Sequence, residues 1–488
     1  MARGRLDSKR PCGDSSKEVL DMSWQDGDKP LNKISRRKFL STSLQVGLGM
    51  IGVSALNACA PAATPGASQS AAPATSAPAV PTTAASKGPV TLEFWQIAQG
   101  ANYDKVLRQL IEEYEDSHPN VKVNLTVQPQ KDMDTKVRSV YTSGGPGPDL
   151  MICGSVYSLT YARMPYGFID LTDRIAAEKL KDTIAPSAWE TMQENDKQFG
   201  VPFTAFLFLL NYNKDLYKAA GLSGPPTTLD ELLANSKKIT DPSQDRYGFL
   251  AFTAFPAWIL EQLWYDAGVG YFEGSENFDK YDVTKPITIT KPEAVAALEY
   301  VKSLAETAPG GLQGNIGVKT GDADAAFAKG NLAHFYTHTI HTSQIQSYNE
   351  NMVPQKNFDV AAFPKGPKRQ GVMFSTEVAG ISKGSKDPDA AWDFLKFLSD
   401  LEGRIAPSSG TVPLRGDVDV DQNQAGSWLV PIGRQLLQGE VFPQAYFPQQ
   451  GAFASSLTSN VEAYFLDKKS AEQALSDVAT EAAKSLKQ

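Results

Sequence analysis

Between Val90 and Val127 the hydrophobic period changes twice, and this restricts the fold more than any other feature of the chain. VTLEFW alternates Val90, Leu92 and Phe94 with polar partners, the period of a strand with one buried face. Tyr103 to Asp116 then places Val106, Leu107, Leu110, Ile111 and Tyr114 on one helical face, and VKVNLTV restores the alternation from Val121. A helix between two strands carries the chain back to its starting edge, so this order predicts a parallel α/β layout. GGPGPDLMI adds a turn and a short buried strand. No Gly-Lys-Ser/Thr follows its Gly144, Gly145 and Gly147, and a strand rather than a helix comes next, so it reads as a plain turn and not a phosphate loop.

Later helices are marked by their caps. Thr228 with Glu231, and Ser470 with Gln473, are capping boxes. Asp387 followed by Pro388 starts a helix ahead of Ala391, Trp392, Leu395 and Leu398, which assigns Trp392 to a core face. About 400 residues follow Gly88, too many for one core and suited to two lobes. Helices and strands alternate without a low-complexity break, so the lobes must be interleaved. No internal repeat is visible.

The segment before Gly88 is of another kind. KISRRKFLSTSLQVGLGMIGVSALNA sets Arg36, Arg37 and Lys38 before an apolar run diluted by Gly, Ser, Thr and Gln, the layout of a secretory signal. Ser35 to Leu40 resembles a twin-arginine signal, and Leu56-Asn57-Ala58-Cys59 resembles a lipobox in which Cys59 is lipidated, although Asn57 departs from the small or apolar residue usual there. The alternative, an uncleaved anchor with an incidental cysteine, also leaves the main body outside the cytoplasmic membrane. Met22 is an alternative start. Ala60 to Gly88 is almost wholly Ala, Pro, Ser and Thr, too poor in large apolar groups to offset chain entropy, and reads as a disordered tether. Its 29 residues reach about 30 Å as a coil and about 90 Å as polyproline II. The expected organisation is a signal at 1–58, lipidated Cys59 and tether at 59–88, and a folded body at 89–488. Phe203 to Leu210 is only strand length, and no other run can span a bilayer.

Residues 59–488 carry 37 basic and 49 acidic side chains, a net charge of −12 with histidine neutral, which argues against a nucleic-acid partner. Of three cysteines, Cys12 lies in the leader and Cys59 in the lipobox, so Cys153 has no intramolecular disulfide partner and the fold must rest on its core.

VTLEFW, EEYEDSHPNVKV, GGPGPDLMI, GFIDLTD, FGVPFTAFLFLLNYNKDLYKAAGL, PPTTLDELL, AFAKGNLAHFYT, FDVAAFPKG, GISKGSKDPDAAWDFLKFLSD, SGTVPLR and the capped final helix follow in an order that resembles the maltose-binding-like extracellular solute-binding proteins of ABC importers. The resemblance implies an α/β, two-lobed periplasmic-binding-protein fold of type II, with interleaved lobes and hinge crossovers. Lobe one would hold about 90–204 and 358–406, lobe two about 205–357 and 412–488. It further implies a non-enzymatic, cofactor-free monomer that captures a carbohydrate and delivers it to ABC permease subunits while lipid-anchored in the periplasm or at the cell surface. Another polar solute, such as a polyol phosphate or a polyamine, is the alternative within transport.

Carried over position by position, the resemblance implies ligand contacts at Trp95 and Gln96 closing the first strand, and at Ser155 and Tyr157 after DLMICG. Ser155 and Phe206 stand where maltose binders have acids, Trp258 where an aromatic stacks on sugar, and Thr337, His338 and Thr339 in place of a segment with a stacking tryptophan. Ser375 and Glu377, with Thr376 between them, precede the return to lobe one, and Phe453 opens the last cleft-facing turn. The two missing acids and the missing tryptophan argue against maltose itself.

A sugar cleft needs hydrogen-bonding groups and an aromatic plane together. The stretch FTAFPAWILEQLWYDAGVGYF supplies aromatics, most of them in the pattern of ordinary core. The competing signal is HFYTHTIH, because His334, His338 and His341 on one helix would share a face and could bind zinc. NLAHFYT instead reads as a strand, which sends His334 away from the other two, and His338 is expected at the cleft. His118, beside Pro119, is a turn residue. An extracellular hydrolase is the rival from another class. His-Glu-x-x-His is absent, and a glycosidase would need only two facing carboxylates.

Overall fold

The computed structural model describes residues 88–486 apart from 146, 254, 255, 448 and 449. Arg36, Arg37, Cys59 and the tether lie outside the described residues. Residues 84–488 form one compact unit.

The first pattern folds as its periods dictate. β1 (Val90–Ile97) and β2 (Val121–Gln128) pair in parallel with Val90 opposite Val121, and α1 (Ala101–Ser117) joins them, burying Tyr103, Val106, Leu107, Leu110, Ile111 and Tyr114. α2 (Gln130–Ser143) ends at Gly144, whose φ of 74° lies in the left-handed region that glycine tolerates. β3 (Leu150–Gly154) then pairs in parallel with β1, and α3 (Ser155–Arg163) follows without a loop.

The chain next runs through the 13-residue β4 (Val201–Asn213) to α4 (Leu229–Ile239), where Thr228 accepts from the Glu231 N–H as its cap. The Glu231 carboxylate takes the N–H and hydroxyl of Thr227. Beyond lie β5 (Tyr247–Leu250), α5 (Pro256–Ala267), α6 (Thr320–Ala328), β6 (Leu332–His338) and α7 (Thr339–Tyr348). The return passes β7 (Phe358–Ala361), β8 (Val372–Ile381), α8 (Pro388–Asp400), β9 (Val412–Pro413) and β10 (Val441–Pro443). It closes with α9 (Gln450–Phe465) and α10 (Ala471–Ser485), the latter capped by Ser470 accepting from the Gln473 N–H.

These strands make one mixed ten-stranded sheet in the order β2-β1-β3-β8-β4-β6-β5, with β7 and β9 also on β4 and β10 also on β8. Two large cores are mounted on it. Leu92, Phe94, Leu107, Leu110, Trp392 and Leu395 fill the first, and Phe249, Leu260, Trp264, Leu298, Phe335 and Leu475 fill the second. β4 serves both: Val201, Phe203 and Ala205 pack in the first, Phe208 and Leu210 in the second. β8 does the same, with Met373 in the second and Ala379 and Ile381 in the first.

One expected boundary moves. Phe358 to Ala361, expected in the first lobe, pairs along Leu210 to Asn213 of β4, and Phe358 packs in the second core. The chain re-enters the first core only past Glu377, where β8 shifts register against β4 and begins pairing with β3. Among the described residues no helix is long and apolar enough to cross a membrane.

Trp392 is 5 % exposed in the first core, with the Arg174 guanidinium 5.9 Å from its ring centroid. Trp392→Ala should cost about 3–5 kcal/mol in urea unfolding, the range for removing a large buried aromatic. A loss under about 1 kcal/mol would place that ring outside the core.

Candidate functional site

A cavity of about 1130 Å³ opens where the two cores face one another across β4. One wall comes from helices that precede and follow β3: Asp134 and Arg138 on α2, Tyr157, Thr160 and Arg163 on α3. The other comes from Phe206 and Phe208 of β4, Trp258 of α5, His338 at the end of β6, and Gln444, Phe447 and Gln450 around the start of α9. A side pocket of about 290 Å³ shares Thr160, Arg163 and Phe447 with it and adds Ser155, Lys280 and Tyr446.

Sheet register builds the aromatic floor. Phe208 lies opposite His338 in the antiparallel β4–β6 pair, and Phe206 is two residues before Phe208, so all three project on one face. Trp258 packs its ring 5.2 Å from Phe208 and 5.1 Å from His338, while Phe206 lies 4.9 Å from His338. These ring-centroid separations fall in the favourable range for tilted and edge contacts. Such a floor can pack against the apolar face of a ring-shaped solute.

Polar groups supply directionality. The Asp134 carboxylate accepts from Arg138 Nε at 2.9 Å and from the Tyr161 hydroxyl at 2.8 Å. Arg163 pairs with Glu194 through Nη2 at 2.7 Å. Burial, and secondarily the Asp134 charge, raises the Tyr157 phenol, so Tyr157 stays protonated and can donate. Behind the floor, Glu261 is fully buried one helical turn from Trp258 and accepts from the Tyr271 hydroxyl at 2.5 Å; burial pushes it up to about 7.

Of the residues expected to bind ligand, Tyr157, Phe206, Trp258 and His338 line this cavity, and Ser155 lines the side pocket. The rest are turned inward. Trp95 is 4 % exposed under the Lys136 ammonium, 3.8 Å from its centroid. Gln96 is buried and donates to the Ile97 carbonyl at 3.0 Å. Ser375 faces Ser155 at 3.2 Å within the sheet, and Thr337 and Thr339 are buried with hydroxyls lacking a partner among the described residues. Phe453 packs on Tyr271, 4.8 Å away, in the second core. Glu377 is buried at the register shift, accepting from Thr204 at 3.2 Å and from Gln99.

The histidines separate as the strand reading requires. His334 is wholly buried between the Tyr217 hydroxyl at 2.6 Å and Ser236 at 3.0 Å, and burial lowers its pKa to about 3. His338 and His341 have ring centroids 4.5 Å apart, and a carboxylate that spacing alone did not reveal, Asp324 of α6, holds His341 Nδ1 at 2.6 Å. Burial, then the neighbouring His341, lowers the His338 pKa. Among the described residues no group of three or more His, Cys, Asp or Glu could hold a metal.

Arg138, Thr160, Arg163, Gln444 and Gln450 were not legible as site residues. Their one sequence signal is position: helices flanking a buried strand, and the start of α9.

Residues 98–404 match the bacterial extracellular solute-binding protein family, and the chain belongs to it. The family is one of binding proteins, not of enzymes. The diacetylchitobiose binding protein DasA of Streptomyces coelicolor is 24 % identical over 66 % of this chain and 73 % of its own length. The maltotriose-binding protein of Pyrococcus abyssi is 23 % identical over 75 % and 76 %. An ABC transporter solute binding protein of Thermotoga lettingae, bound with alpha-D-tagatose, shares the fold with a TM-score of 0.68 at 20 % identity, covering 81 % of this chain and 99 % of that one.

Glu261, Asp266 and Glu377, each raised to about 7, and Glu402, raised to about 8, owe their shifts chiefly to burial. An acid raised in the native state stabilises it below the unfolded pKa, near 4, and loses that contribution as pH rises to the folded value. Stability should therefore fall between about pH 5 and pH 8. Glu377→Gln, which imitates the protonated form, should flatten part of that slope by up to about 3 kcal/mol. Thermal unfolding against pH checks this, and a melting point that climbs from pH 5 to pH 8 would contradict it.

Proposed function

We propose that this chain is a membrane-tethered receptor that captures a carbohydrate between its two cores and delivers it to the permease of an ABC importer. The observation that carries the reading is the cavity itself: an aromatic floor from Phe206, Phe208, Trp258 and His338 opposite a polar wall from α2 and α3. A pyranose has an apolar ring face and an equatorial rim of hydroxyls, and these two walls match them. Tyr157, Phe206, Trp258 and His338 are the proposed contacts, with Ser155 in the side pocket. The relatives named for diacetylchitobiose and maltotriose support a saccharide over other polar solutes.

The two strands common to both cores serve in this reading as the hinge about which the walls close on the solute. Arg36 and Arg37 direct export by the twin-arginine route, and lipidated Cys59 with its tether keeps the monomeric body beside its permease, in the periplasm or at the cell surface.

Two measurements test this. Trp258→Ala should weaken binding of the recognised saccharide by about 1–3 kcal/mol in calorimetric titration, while Trp258→Phe, which keeps a ring, should lose less. Unchanged affinity in a folded Trp258→Ala protein would remove that floor from the site. Cys59→Ser should move the protein from the membrane fraction to the soluble exported fraction, and continued membrane retention would count against the lipid anchor.

A further inference from the structure

The charged groups of the cavity are unequally available. Its two lining carboxylates are withheld: Asp134 receives Arg138 Nε on both oxygens, at 2.9 Å each, and the Tyr161 hydroxyl, while Glu261 is 0 % exposed beneath the floor. Its cations are not. Arg138 spends only its Nε on Asp134, and among the described residues its two terminal NH₂ groups have no hydrogen-bond partner. Arg163 gives one edge, Nε and Nη2, to Glu194 and keeps Nη1. Lys280, exposed where the side pocket continues the cavity, has no ion pair among the described residues, and Asp279 is the one acid lining that pocket.

Arg163 is tied to its own carboxylate along one edge and Arg138 through Nε alone, and each keeps free N–H donors suited to a planar oxyanion. A neutral polyol would need acceptors for its hydroxyl protons as much as donors for its lone pairs. Here the two carboxylates of the main cavity are occupied or buried while its charged donors remain, and Asp279 of the side pocket is the exception. A polyamine, which needs open carboxylates, is the poorest match.

Resting on the carbohydrate reading above, we infer that the solute is an anionic saccharide, whose carboxylate or phosphate oxygens bind Arg138 and Arg163 while its ring packs on the aromatic floor. Tyr157 lines the same wall, with Arg138 near enough to act on its phenol. The fixed charge is set against a body of net charge −12, so the attraction is local to the cavity and falls with salt.

The test uses the full chain in detergent, titrated calorimetrically at pH 7 with trigalacturonate, galactotriose and glucose 6-phosphate. Hydrogen bonds to charged groups predict that an anionic sugar binds about tenfold to a hundredfold tighter than the neutral one. That preference should shrink at high salt, disappear in Arg138→Gln/Arg163→Gln, and survive in part in Arg138→Lys. Preference for trigalacturonate identifies the anion as a carboxylate, and preference for glucose 6-phosphate as a phosphate; either supports the inference. Galactotriose binding as tightly as both, or an anion preference unchanged in the double variant, overturns it and leaves the carbohydrate reading standing. Binding of spermidine with no saccharide bound overturns both.

Discussion

The antiparallel pairing of β4 with β8 is the constraint on which the rest of this molecule depends. These two strands contribute side chains to both large cores. Their register shifts between Glu377 and Val378, at the point where β8 leaves the second core and begins to pair with β3. A bulge bends a strand and raises its local twist, and this one falls where the crossing strands pass from one core to the other. The buried Glu377 carboxylate, accepting from Thr204 on β4 and from Gln99 beyond β1, links both crossing strands to the first core at that bend.

From that arrangement the site chemistry follows by parity. Residues of β4 alternate between faces, so Phe206 and Phe208 look into the cavity while Leu207 and Leu209 pack behind with Val412 and Leu429. β6 continues the floor through His338 and turns Thr337 inward. The opposite wall owes its charge to α2 and α3, whose surface residues would be ordinary solvated arginines if no second core faced them. The aromatic floor is mounted on the second core and the guanidiniums on helices packed in a separate cluster around Met133, Val137 and Tyr161, and neither wall alone makes a site.

Much of the fold was legible in the sequence, for physical reasons. The β1-α1-β2 unit announced itself because periods of two and 3.6 residues cannot be exchanged. Thr228 and Ser470 were readable as caps because a side-chain oxygen satisfies an otherwise unpaired helix N–H. Trp392 was readable as core from its helical face. The boundary at Phe358 was misplaced because pairing with the far end of β4, over 140 residues earlier in the chain, leaves no local trace. The site was legible by neighbourhood and not by direction. Strand ends bring Gln96, Ser375 and Thr337 close to the cavity, but one residue of parity decides whether a side chain faces solute or core. Phe453 failed in the helical version of the same way, its ring falling on the Tyr271 side of α9. Arg138 and Arg163 carry no motif, since their role depends on which of their donors a neighbouring carboxylate leaves free.

In the proposed function, two walls carried by separate cores and joined through β4 and β8 close on a saccharide. The most direct measurement is the distance between spin labels at Thr160 on α3 and Ala257 on α5, both lining the cavity, in protein whose Cys12 and Cys59 are replaced by serine. Closure of the walls should give a distribution that narrows and shortens by several ångströms when a binding saccharide is added, and stays unchanged with a sugar that does not bind. An unshifted distance at saturating ligand would contradict it, because the solute would then bind a rigid surface and the strand pair would be a brace rather than a hinge.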